Sequence, residues 1–154
     1  MQTKRSLWHR YKYKLNGLLL VLPGWFLYQS LTPSFPPSWD ARQAGEFTLI
    51  PMPLDLDRPY VHHGDYVKDF FFTLSKGDVR DIRQAFVNIG PQPLTLAEFQ
   101  QHELGILHGS RHGLHVHALS PKTLTKEDRV WISVQTWHNQ VFSTSWSLPD
   151  TLLE

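Results

Sequence analysis

The chain of 154 residues contains no cysteine. That excludes disulfides, thiolate zinc sites, a cysteine nucleophile and thiolate-held iron–sulfur clusters. Methionine is nearly as scarce: Met1 and Met52 are the only two, so a methionine-rich Cu(I) site is excluded as well. Charge of neither sign is in excess. A formal net charge of +1 argues against a general nucleic-acid binder, because neutralising phosphates needs a basic surplus. No GxSxG, P-loop, dinucleotide fingerprint or HExxH motif occurs, so no enzyme class is indicated. Internal repeats and low-complexity runs are also missing. The length suits one domain plus an anchor.

Only one long apolar run is present, Leu15 to Leu31 (LNGLLLVLPGWFLYQSL). Lys4, Arg5, Arg10, Lys12 and Lys14 precede it without an intervening acid. A spanning helix needs about 20 residues and at least about 17. Trp25 and Tyr28 suit an interfacial aromatic belt, and Pro23 is tolerated within a membrane helix. The reading competes with a cleaved signal peptide and with a buried soluble helix. A signal peptide lacks support because the bulky, Pro-rich TPSFPPSWDA follows, with no small-x-small cleavage site. The expectation is therefore a cytoplasmic basic N-terminus over 1–14 and a single transmembrane helix over 15–31. A Pro-containing linker over 32–45 follows, then a domain over 46–150 on the periplasmic or extracellular side.

Six Trp, nine Phe and five Tyr give the remainder a composition suited to strands and cores. Phe70, Phe72 and Leu74 alternate with Phe71 and Thr73, and Ser75-Lys76-Gly77-Asp78 closes that strand. Val130, Ile132 and Val134 form a second alternating run. Phe142, Thr144, Trp146 and Leu148 form a third, and a His138-Asn139 turn between them predicts a hairpin. Val79, Ile82, Phe86 and Ile89 fall at helical spacing behind a possible Asp78 cap. Ala85, Val87 and Ile89 fall at strand spacing, and a strand over Arg83–Ile89 is the expectation. Thr95-Leu96-Ala97-Glu98 has capping-box form and predicts the start of a short helix. Short strands between Gly/Pro/Asp turns predict a mostly-β fold, an immunoglobulin-like β-sandwich.

Histidine is the feature present in excess: nine in all, five of them within HELGILHGSRHGLHVH. His115 and His117 alternate with Leu114, Val116 and Ala118, so a strand projects both imidazoles from one face. A hairpin with Gly109-Ser110-Arg111 as its turn aligns Leu104 and Ile106 with Leu114 and Val116. It also sets Glu103 opposite His117 and faces His108 with His112. The expected metal ligands are thus His115, His117 and Glu103, with His108 and His112 as a looser pair. His62-His63 joins them only if the fold brings it near. Imidazole suits divalent transition metals, and the Irving–Williams order puts copper ahead of zinc. The competing readings are polar surface filling and a pH-responsive or partner-binding role.

An exposed two- or three-ligand site suits transfer, since a closed four-ligand site holds its metal too firmly. The expectation is a membrane-anchored, extracytoplasmic metal-binding accessory protein and not an enzyme. It would bind, buffer or deliver copper to a membrane enzyme or metal transporter. The layout of one helix plus an outer β-sandwich is similar to that of some copper-handling and oxidase-assembly proteins. A metal-free assembly subunit of a membrane complex and, more remotely, a metal-dependent enzyme are the alternatives.

Overall fold

The computed structural model describes residues 7–102, 104–110 and 112–153, without the side chains of Leu7, His9, Arg10 and Leu15. It divides into two compact units, Met1–Ser34 and Phe35–Glu154.

The first unit holds helices α1 (Leu7–Leu19) and α2 (Val21–Leu31). The division falls at Leu20, three residues before Pro23. Proline has no N–H to donate to the Leu19 carbonyl, so the ladder is interrupted there. The Leu20 backbone itself stays right-handed, with φ −81° and ψ −17°. The single spanning helix expected over 15–31 is therefore not found. No helix among the described residues is long and apolar enough to cross a membrane. α2 nonetheless buries none of its side chains, and Trp25, Phe26, Leu27 and Tyr28 are all exposed.

The second unit is mostly β, as its alternating pattern predicts. Its strands are β1 (Arg42–Ala44), β2 (Phe47–Pro53), β3 (Tyr60–His62), β4 (Asp65–Lys76) and β5 (Ile82–Gly90). They continue with β6 (His108–Ser110), β7 (Gly113–Leu119), β8 (Arg129–Thr136) and β9 (Val141–Ser147). An immunoglobulin-like sandwich requires two sheets packed face to face. Here all nine strands belong to one sheet in the order β1-β2-β4-β7-β5-β8-β9, with β3 added to β4 and β6 to β7. Every pairing is antiparallel except β5 with β7.

The sheet curls until its ends nearly meet, giving a barrel-like shape. The Trp146 indole on β9 donates to the Asp40 carbonyl just before β1, at 2.6 Å. Gly45 has φ +61°, and a Cβ there would lie 2.4 Å from the Phe142 ring. Only glycine lets the chain pass so close to β9. Residues 35–45, expected as linker, thus include β1. Trp39 in that stretch stacks edge-on against Phe70 at 5.5 Å.

The inward face carries the main core, including Phe47, Phe70, Phe72, Val87, Leu114, Val116, Ile132 and Val134. Over part of the outer face lies a second, smaller apolar cluster of Val67, Phe86, Phe99, Leu104 and Leu119. Phe99 belongs to the one-turn helix α3 (Leu96–Phe99), which the expected capping box starts: the Thr95 side chain accepts from Glu98 N–H, and the Glu98 carboxylate from Thr95 N–H. Asp78 caps only a single 3₁₀ turn, Val79–Asp81, before the chain extends into β5. The strand spacing of Ala85, Val87 and Ile89 prevails because those three side chains enter the main core.

Candidate metal centre

Four strands bring the relevant side chains together on the outer face. In the β4–β7 ladder Asp69 is opposite His117 and Phe71 opposite His115. Phe70 and Phe72 point inward with Val116 and Leu114, so the pleat forces Asp69, Phe71, His115 and His117 outward. β6 lies on the other side of β7 and sets His108 opposite His115. The β3–β4 hairpin aligns His62 with Asp65 and Tyr60 with Val67, placing both side chains beside the ladder. Its two-residue loop, His63-Gly64, has φ +50° and +95°, the pair of positive values that the tightest hairpins require.

Hydrogen bonds fix the protons on these rings. The Asp69 carboxylate accepts from Tyr60 Oη–H at Oδ2, 3.0 Å, and from His117 Nδ1–H at Oδ1, 2.5 Å. His117 therefore keeps its Nε2 lone pair. His108 Nδ1 lies 3.1 Å from the Ile106 carbonyl, which only accepts, so that nitrogen carries the proton. The other nitrogen of a neutral His108 then accepts from His115 Nδ1–H, 3.3 Å away. This leaves His115, too, with a free Nε2 lone pair. Both imidazoles are thus held in the tautomer that binds a metal through Nε2.

Electrostatics favour the same state. Burial holds the His115 pKa below the ordinary imidazole value, and the positive forms of His117 and His108 push it the same way against the pull of Asp69. Neutral imidazole is the metal-binding form. The Tyr60 hydroxyl is pushed up to about 12, by burial first and then by its hydrogen bond to Asp69. It stays a donor to that carboxylate throughout the neutral range.

Asp69, His115 and His117 each offer a ligand atom, all within 4.8 Å of one another, and all three residues are half-buried. Nitrogens on one tetrahedral ion at about 2.0–2.1 Å sit about 3.4 Å apart. Asp69 joins an ion held on His117 Nε2 only by giving up its hydrogen bond to His117 Nδ1–H; while it keeps that bond it orients the ring. Two imidazoles and a carboxylate suit a divalent transition ion with a coordination position left open. The residues fit such an ion.

The sequence-derived ligands fare differently. His115 and His117 are together as expected, and His108 adjoins them. His112 is at the exposed hairpin tip, outside that group, where its N–H donates to Ser110 Oγ at 3.2 Å. Glu103 lies outside the described residues. The hairpin exists, but with His108 opposite His115 and not His112. Two glycines cause the three-residue shift. Gly105 (φ +83°) redirects the upstream segment, so that Leu104 joins the smaller apolar cluster and Ile106 bridges to Phe86 of β5. Gly109 (φ +133°) lets β6 press onto β7, where a Cβ would lie 2.3 Å from the Gly113 carbonyl. Asp69 and Tyr60 escaped the sequence reading. The only local signal for Asp69 was a lone acid entering an aromatic strand. The fold does bring His62 near, its ring 4.8 Å from that of His117, but it is not one of the three residues whose ligand atoms converge.

No curated protein and no solved structure matches the chain. A family model does match it over residues 7–149, from the helices through to the end of β9, and the chain belongs to that family, described as uncharacterised conserved protein UCP029505.

Proposed function

We propose that this protein is a metal-binding accessory protein that takes up and passes on a divalent transition ion, copper ahead of zinc, at His115, His117 and Asp69. The observation that carries the reading is the convergence of those three side chains within 4.8 Å on one sheet face. The paired hydrogen bonds that free both Nε2 atoms support it. So does the surface position, since an open, half-buried site exchanges its ion more readily than an enclosed one. Cu(II) binds such nitrogen–oxygen sets more tightly than Zn(II).

The N-terminal unit would hold the domain at a membrane surface. α2 buries no side chain and exposes Trp25, Phe26 and Tyr28 beside aliphatic neighbours, while α1 supplies Lys12 and Lys14. An apolar surface next to basic residues suits a bilayer and its headgroups. The same exposed helix favours a second reading, in which the chain is a metal-free assembly subunit of a membrane complex.

Calorimetric titration of the full-length chain in detergent with Cu(II), then Zn(II), separates the two. Saturable binding is expected. His115→Ala with His117→Ala should weaken it at least about 100-fold, or about 2.7 kcal/mol. An unchanged affinity in that double variant would place the ion elsewhere and reject the site.

A further inference from the structure

The metal site does not stand alone on its face. Five imidazoles follow one another across it. Ring centres are 4.4 Å apart for His63–His62, 4.8 Å for His62–His117, 4.8 Å for His117–His115 and 5.2 Å for His115–His108. An imidazole bonded at about 2.0–2.1 Å puts its ring centre about 3.2 Å from the metal, so two on one tetrahedral ion have centres about 5 Å apart. Each neighbouring pair in the row is therefore spaced as if sharing an ion. A bound ion can acquire the next imidazole before releasing the last.

The two ends of the row differ. His108 has both ring nitrogens engaged, one on the Ile106 carbonyl and one on His115. It serves as a positioning residue that sets the tautomer of His115. At the other end, no hydrogen bond among the described residues engages the His62 ring, whose contacts are with the Tyr60, His63 and His117 rings. His63 is exposed on the hairpin loop. That loop is held in place by its positive-φ pair and by the β3 hydrogen bonds to β4.

We infer that His63 and His62 form the loading arm of the site: they capture a divalent ion from an outside donor and pass it by stepwise ligand exchange to His117 and His115. This inference rests on the metal-binding reading above and adds the route. It makes His62 and His63 determinants of transfer rate, with the resting affinity set by His115, His117 and Asp69.

The test uses the full-length chain in detergent and Cu(II) supplied as its nitrilotriacetate complex. Transfer is followed by stopped-flow quenching of tryptophan fluorescence, and equilibrium affinity by competition with the same chelator. The variant is His62→Gln with His63→Asn, asparagine being chosen because it tolerates the positive φ at that position. Thermal unfolding monitored by circular dichroism checks that the hairpin and barrel are retained, and His63→Asn alone serves as a second, milder variant. The double variant should capture copper at least about tenfold more slowly with its affinity changed less than about threefold, a free-energy change below about 0.7 kcal/mol. Capture at the unaltered rate would overturn the loading arm while leaving the metal site standing. Loss of affinity in proportion to rate would also overturn it, making His62 an ordinary ligand. Failure of the unaltered chain to bind copper would reject the underlying metal reading instead.

Discussion

The two faces of the β4–β7 ladder are built from adjacent residues of the same strands, yet obey different rules. Inward, Phe70, Phe72, Leu114 and Val116 are at most 5% exposed and pack into a continuous core. Outward, Asp69, Phe71, His115 and His117 are half-buried, and three of the four are joined by polar contacts to Tyr60 or His108. The inner face is specified by volume and hydrophobicity, which many side chains can supply. The outer face depends on which nitrogen carries a proton, which few can. The period-2 pleat allows both codes in one stretch, because each residue serves one face only.

This separation breaks most visibly from the inside. Phe70→Ala should destabilise the barrel by about 3–5 kcal/mol, since it deletes a fully buried ring and leaves a cavity. Chemical denaturation monitored by tryptophan fluorescence reads the effect. His117, one residue beyond the inner-facing neighbour of Phe70 on β7, should tolerate alanine at a cost of less than about 1 kcal/mol without metal. Comparable losses at the two positions would show that the outer cluster is part of the structural core and that the division between faces is mistaken.

The same contrast decides what the sequence revealed. The β8–β9 hairpin was legible because alternation persists on both strands around His138-Asn139, and the observed register pairs Ile132 with Thr144 as that alternation requires. The capping box at Thr95 was legible because it is complete within four residues. His115 and His117 were legible as a pair because a single strand sets their common face. What failed were relations that no short window contains. Asp69 meets His117 only through the β4–β7 pairing, 48 residues apart in sequence. The union of all strands in one sheet depends on the β5–β7 parallel contact, which local periodicity cannot report. The hairpin register departs from ideal alternation at Gly105 and Gly109, where positive φ resets which side each residue faces.

A smaller perturbation sharpens the comparison within the outer face. Asp69→Asn preserves shape and a hydrogen-bond acceptor for His117 Nδ1–H but removes the charge. Copper affinity should fall about 10- to 100-fold, the usual consequence of losing a carboxylate that binds the ion or orients its histidine ligand. Stability of the metal-free protein should change far less than in Phe70→Ala. Calorimetry and denaturation on the same variant give both numbers. A copper affinity equal to that of the unaltered chain would remove Asp69 from the site and leave two histidines only.

The smallest effect belongs to Tyr60, which touches the site through the far oxygen of Asp69 and lies 3.3 Å from His117 Nδ1. Tyr60→Phe removes that 3.0 Å hydrogen bond and should cost less than about 1 kcal/mol near neutral pH. Its clearer signature is alkaline. The folded-state pKa is raised from 10.0 to about 12, so between those values the folded chain binds more protons at this residue than the unfolded chain. Stability from this group is therefore complete below pH 10 and is lost as pH rises towards about 12. Denaturation midpoints should fall more steeply across that window in the unaltered protein than in Tyr60→Phe, where this linkage is gone. Identical alkaline slopes would mean that the hydroxyl does not hold the carboxylate. The orientation of His117 would then rest on Asp69 without help from β3, and the outer face would be less tightly built than the hydrogen-bond pattern implies.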